Sequence, residues 1–140
     1  MSYSTLGDPS SNDESAFASC VCAAKFCNFG LVTSRKWTSV YVTVLDSVIR
    51  VYTSKEACME NEHDDVVRIV LNSSGKYQVS EVKKKNYSTN PLKIVDFWCF
   101  YVQIDNGMFA PTKVIKIGCQ IESDCRRLVR AIKLACDDDI

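Results

Sequence analysis

The stretch from Ile121 to Cys136 carries the cleanest periodicity in the chain. Ile121, Cys125, Leu128, Ile132 and Ala135 recur at steps of four, three, four and three, a spacing that stacks them on one face of an α-helix. Val129 and Cys136 widen the stripe, while Arg126, Arg127, Arg130 and Lys133 fall largely outside it. Ser123 is the expected N-cap, with Asp124 in the first turn beside the free N–H groups. Asp137, Asp138 and Asp139 would meet the negative end of the helix dipole, so fraying is expected there. A helix with one apolar stripe must bury it against another layer.

Upstream, the pattern is that of strands. Trp37 to Leu45 alternates, with Trp37, Ser39, Tyr41, Thr43 and Leu45 on one side and Thr38, Val40, Val42 and Val44 on the other. Asp46-Ser47 is a two-residue turn into a partner strand, Val48 to Tyr52. A first strand is expected over Cys20 to Val32, bent near Gly30, with a turn at Thr33 to Lys36. Lys55 to Asp65 is a polar connection with room for a short helical turn. Val66 to Leu71 and Lys76 to Val82 are further strands, joined through Asn72-Ser-Ser-Gly75. Lys83 to Pro91 reads as the longest loop, Lys93 to Asp105 as the most apolar strand, and Thr112 to Cys119 as the last, after a turn at Asn106-Gly107. Residues 1–19 are polar and aperiodic, expected as a disordered tail before a domain over 20–140. The expected fold class is mainly β: seven antiparallel strands capped by one C-terminal helix.

At 140 residues the chain can hold one sizeable core. Seventeen basic and seventeen acidic residues give no net charge, so no overall field favours nucleic acid as a partner. The charge is unevenly spread, acidic over Glu56 to Asp65 and basic over Lys76 to Lys93. No apolar run approaches the roughly 20 residues of a membrane span, and the start lacks a signal-peptide pattern. A soluble, cytoplasmic protein is expected. The eight cysteines are expected as free thiols filling the core. Cys20-Val-Cys22 is closer-set than a zinc knuckle, no Cys-x-x-Cys pair supports it, and His63 is the sole histidine. No metal and no cofactor are expected. No phosphate loop or carboxylate set appears, and His63 lies in an acidic, loop-like segment, so no enzyme is expected.

Several pieces carry a family resemblance. Arg35-Lys-Trp37 runs into Tyr41-Val-Thr-Val-Leu45, Ile49-Arg-Val-Tyr-Thr-Ser-Lys-Glu56 follows, and Asp124 to Ile132 closes the chain. Together they resemble the second strand, third strand and terminal helix of pleckstrin-homology (PH) domains, over roughly Cys22 to Cys136. The resemblance implies a bent or partly open barrel of seven strands plugged by the helix. It also implies a non-catalytic adaptor at a membrane, with anionic lipids and proteins as partners. Leu128 stands where most members carry Trp in the helix. Thr38 and Val40 stand where tight phosphoinositide binders carry Lys or Arg after the Trp. Such a headgroup needs several charge-assisted donors held together, so the clamp is incomplete.

The candidate anion-binding residues are therefore Arg35 and Lys36 on one expected loop and Lys83, Lys84 and Lys85 on another. In PH-like folds these loops can face one another; read alone, the lysine triplet is a solvated loop sooner than a site. Met108-Phe109 is a candidate membrane tip, or a turn folding back on the core. Cys20, Cys22 and Cys27 are candidates for acylation near a membrane, while Ser2 stands where N-myristoylation requires glycine. The expectation is weak, charge-driven binding of anionic lipid by a peripheral protein. The alternative is a protein-interaction scaffold of the same fold without lipid affinity, a peptide lying between the helix and a sheet edge.

Overall fold

The computed structural model describes residues 17–30, 34–71, 76–90, 93–105, 107 and 110–137, with the side chains of 34, 35, 87–90, 93–95 and 137 excepted. Of the expected tail over residues 1–19, residues 1–16 lie outside them, as do the turn at 72–75 and Met108-Phe109, whereas Ala18 and Ser19 belong to the first strand. Eight strands and two helices follow in order: β1 (Ala18–Cys27), β2 (Ser34–Leu45), β3 (Val48–Tyr52), α1 (Lys55–Glu60), β4 (Val67–Val70), β5 (Lys76–Val79), β6 (Lys83–Asn90), β7 (Lys93–Asp105), β8 (Lys113–Cys119) and α2 (Glu122–Asp137).

The strands form one antiparallel sheet in the order β4-β3-β2-β1-β8-β7-β5, with β6 also on β7. Seven lanes hold eight strands because β5 and β6 share an edge of β7. Val79 sits opposite Val102 and Lys83 opposite Cys99. Between them the Ser80 N–H donates to the Tyr101 carbonyl (3.0 Å), and Ser80 Oγ accepts from the Tyr101 N–H (2.8 Å). The sheet curls into a partly open half-barrel. Its two outer lanes meet through Tyr77, whose hydroxyl donates to the Val70 carbonyl at 2.7 Å.

The curl buries one face. On β2, Val40, Val42 and Val44 enter the core, whereas Ser39 and Leu45 are exposed. The β2–β3 hairpin turns at Asp46-Ser47 with φ of 53° and 63°, the primed geometry that matches strand twist. The same core cluster takes Cys20, Cys22, Ala24 and Phe26 from β1, Ile115 and Ile117 from β8, and Leu128 and Ile132 from α2. One helix thus covers the concave side, as the resemblance implies. Its arginines at 126, 127 and 130 are exposed.

Four expectations need correction. Lys83 to Asn90 is strand β6, not loop: backbone pairing to the apolar β7 suffices, and no apolar alternation is needed on its own part. Ser34 to Lys36 belongs to β2 rather than to a turn. Only Gln120 and Ile121 separate β8 from α2, so the helix begins at Glu122 and Ser123 lies inside it instead of capping it. Ile121, expected in the buried stripe, precedes the helix and is 57% exposed; its carbonyl accepts from the Cys125 N–H (3.3 Å).

Candidate functional site

Strand alternation gives the sheet a second, outward face with different chemistry. On β1, Val21, Ala23 and Lys25 alternate with the buried Cys20, Cys22 and Ala24. Trp37 of β2 and Phe97 of β7 meet across this face edge-to-face, their centroids 5.6 Å apart at 81°. They close over β8 at Gly118, where a Cβ would stand 2.9 Å from Phe97 Cδ2 and 3.4 Å from Trp37 Cζ3. Glycine is what lets the two rings approach the strand.

Two depressions flank this aromatic bridge. One, of about 310 Å³, gathers Lys25, Lys83, Lys85 and Lys116 from three strands, with Trp37 and Phe97 among its walls. Glu81 is the acidic residue lining it. Lys25 Nζ stands 4.9 Å from the Trp37 ring centroid, a cation–π contact. Cys99 also lines it; burial pushes its thiol pKa up, against the pull of Lys85 and other lysines, so it remains a neutral thiol. The other depression, of about 550 Å³, has fewer charged residues in its walls, which include Val21, Ala23 and Ile121, with Asp124 on its lining.

The structure divides the residues that the sequence grouped. Lys83 and Lys85 face the basic depression, but Lys84 points to the opposite side of β6. Its Nζ lies 3.4 Å from Asp96 Oδ2 and 5.7 Å from the Trp98 ring. Lys36 is exposed and is not among the lining residues. The Arg35 side chain and Met108-Phe109 lie outside the described residues. Lys25 and Lys116 were missed, since each is a single lysine within a strand; their signal was the outward position in alternation. The clamp positions separate as well: Thr38 is exposed, whereas Val40 is only 3% exposed and belongs to the core.

His63 is exposed, its side chain 71% accessible, with Glu62 at 3.8 Å. No helix among the described residues is long and apolar enough to cross a membrane. Of the acylation candidates, Cys20 and Cys22 are buried and so are withdrawn from modification, whereas Cys27 is exposed.

Behind Val21 and Ala23, the cysteines converge. The Sγ atoms of Cys20, Cys22 and Cys119 all lie within 4.8 Å of one another, the first and last 3.9 Å apart. Cys125, from the first turn of α2, hydrogen-bonds Cys119. Hydrogen bonds from Cys119 and Cys22 bring the Cys20 thiol down to about 4. Cys119 is pushed far up by its bonds to Cys125, Cys20 and Cys22 and by burial. Cys22 is also raised: its bond to Cys119 pulls downward, but its bond to Cys20 and burial prevail. The bond to Cys119 lowers Cys125. Cys20, Cys22 and Cys119 are the described residues best placed to hold a metal.

No protein-family model and no curated protein matches the chain. Seven chains among solved structures match. One, in the crystal structure of sifa and skip, is 11% identical over 82% of this chain and 96% of its own, with a TM-score of 0.41. A likeness that distant carries no argument about function.

Proposed function

We propose that the chain is a PH-like, non-catalytic binding module that docks weakly and peripherally on anionic membrane lipid, with protein partners supplying much of its specificity. The observation that carries this is the convergence of Lys25, Lys83, Lys85 and Lys116 around the Trp37–Phe97 pair. Each basic residue near an anionic bilayer contributes on the order of 1 kcal/mol. Four together give attraction without selecting one headgroup, because lysine is a point charge and not a planar fork. The whole chain carries no net charge, so attraction is local, and screening shortens its reach to about 8 Å at physiological salt. The larger flanking depression, with Val21 61% exposed, supplies area for a protein contact.

Vesicle co-sedimentation tests this. Binding is expected to neutral vesicles doped with phosphatidylserine or with phosphoinositide in proportion to charge, and to fade as salt is raised. Equal binding to neutral and anionic vesicles at low salt overturns the lipid reading and leaves a protein-interaction scaffold of the same fold.

A further inference from the structure

We propose that Cys20, Cys22, Cys119 and Cys125 form a buried thiolate site for one thiophilic d10 cation, Zn(II) or Cu(I). Single cysteines in a core behave as small hydrophobes. The cluster is different. Its members come from three elements, the middle of β1, the last residue of β8 and the first turn of α2, and the sulfurs of Cys20, Cys22 and Cys119 lie within 4.8 Å of one another.

The spacing suits a metal. A tetrahedral zinc with Zn–S bonds of about 2.3 Å sets its sulfurs about 3.8 Å apart, and Cys20 Sγ lies 3.9 Å from Cys119 Sγ. Cys20, Cys22 and Cys119 make a three-sulfur set suited to Cu(I) as they stand. Cys125, which interacts with Cys119, would have to move in to supply the fourth ligand a structural zinc needs. A zinc knuckle takes its Cys-x-x-Cys spacing from a turn. On a strand the matching spacing is Cys-x-Cys, because residues two apart share a face. On this ground the site departs from the expectation, drawn from spacing, that no metal is held.

The charges around the cluster are compatible with a cation. Asp124 and Arg127 both act electrostatically on Cys20, with opposite signs. Cys22, Cys119 and Asp124 line the larger depression, which gives an ion a route inward. Binding displaces the thiol protons to solvent, as thiolate sites require.

The full chain, reduced and stripped with chelator under anaerobic conditions, is titrated with Zn(II) and separately with Cu(I) against competing chelators. One equivalent of at least one ion is expected to be retained. Co(II) as a probe should give the near-ultraviolet sulfur-to-metal charge-transfer band and the visible bands of tetrahedral thiolate. Cys20→Ser and Cys119→Ser should weaken retention on the order of a hundredfold or more, while Cys27→Ser and Cys58→Ser leave it unchanged. Should the cluster variants fail to fold, alkylation of wild type in mild denaturant decides. The metal should then protect Cys20, Cys22, Cys119 and Cys125 but not Cys27 or Cys58. Failure to retain either ion, retention that survives both cluster substitutions, or the same alkylation pattern with and without metal overturns the site.

Discussion

The two faces of the sheet differ by one residue step and by almost everything else. Along β1 the inward positions are Cys20, Cys22, Ala24 and Phe26, and the outward ones Val21, Ala23 and Lys25. Inside, α2 closes a core that takes in several thiols. Outside, lysines from three strands surround an aromatic bridge. The inner face holds the fold together, and the outer face is open to chemistry with partners. Substitutions on one face should therefore be read by stability and on the other by binding.

The largest expected effect breaks the inner face at β2. Val40 occupies a position where PH-like phosphoinositide clamps carry a basic residue, yet here it is buried. Val40→Arg would bury an unpaired charge and should cost on the order of 4 kcal/mol or more. That is a large share of the roughly 5–15 kcal/mol that holds a domain folded. Loss of a cooperative denaturant transition is the expected outcome; a gain in lipid affinity with unchanged stability would mean that β2 is turned over.

Next comes the helix that covers the core. Leu128 is fully buried, while its neighbour Arg127 is exposed and paired with Asp124. Leu128→Ala should cost about 2–5 kcal/mol and Arg127→Ala under about 1 kcal/mol. Urea melts of the two variants give the difference directly. Equal midpoints would remove α2 from the core.

Gly118 sits where the faces touch. Gly118→Ala puts a methyl group against Phe97 and Trp37, and overpacking costs about 1–3 kcal/mol. Reduced freedom of the unfolded chain offsets roughly 0.4–1 kcal/mol of that. A modest fall in Tm with a changed near-ultraviolet circular dichroism spectrum is expected. An unchanged aromatic signal would show that the rings do not rest on the strand.

The inner face was legible in the sequence and the outer face was not. Val40, Val42 and Val44 announce a buried row by alternation, and Leu128 with Ile132 announce the helix stripe. Burial leaves a periodic record because every inward position must be apolar. A binding surface leaves none, since Lys25 and Lys116 look like ordinary solvent positions until β1 and β8 are paired. The thiol cluster was hidden for a related reason. Cys20 and Cys119 are 99 residues apart, and only the β1–β8 pairing places them together. The lysine triplet misled in the opposite sense. Three adjacent charges read as one patch in a loop, whereas a strand sends alternate residues to opposite sides.

That alternation supports the finest test of the comparison. Lys83, Lys84 and Lys85 are all exposed, so none of them should matter much to folding. Lys83→Gln with Lys85→Gln, and Lys84→Gln alone, should each change stability by no more than about 0.5 kcal/mol. Their effects on vesicle binding should diverge. Two charges removed from the basic depression are worth on the order of 2 kcal/mol at an anionic bilayer, roughly a thirtyfold loss of affinity. Lys84 lies on the far side of β6, already beside Asp96, and its charge acts through the screened distance of the strand. Its loss should weaken binding by less than about threefold. Co-sedimentation of the two variants with phosphatidylserine vesicles at low salt measures both. If Lys84→Gln weakens binding as much as the double substitution, attraction comes from the total charge of the segment, and the outer face of the sheet has no special part in it.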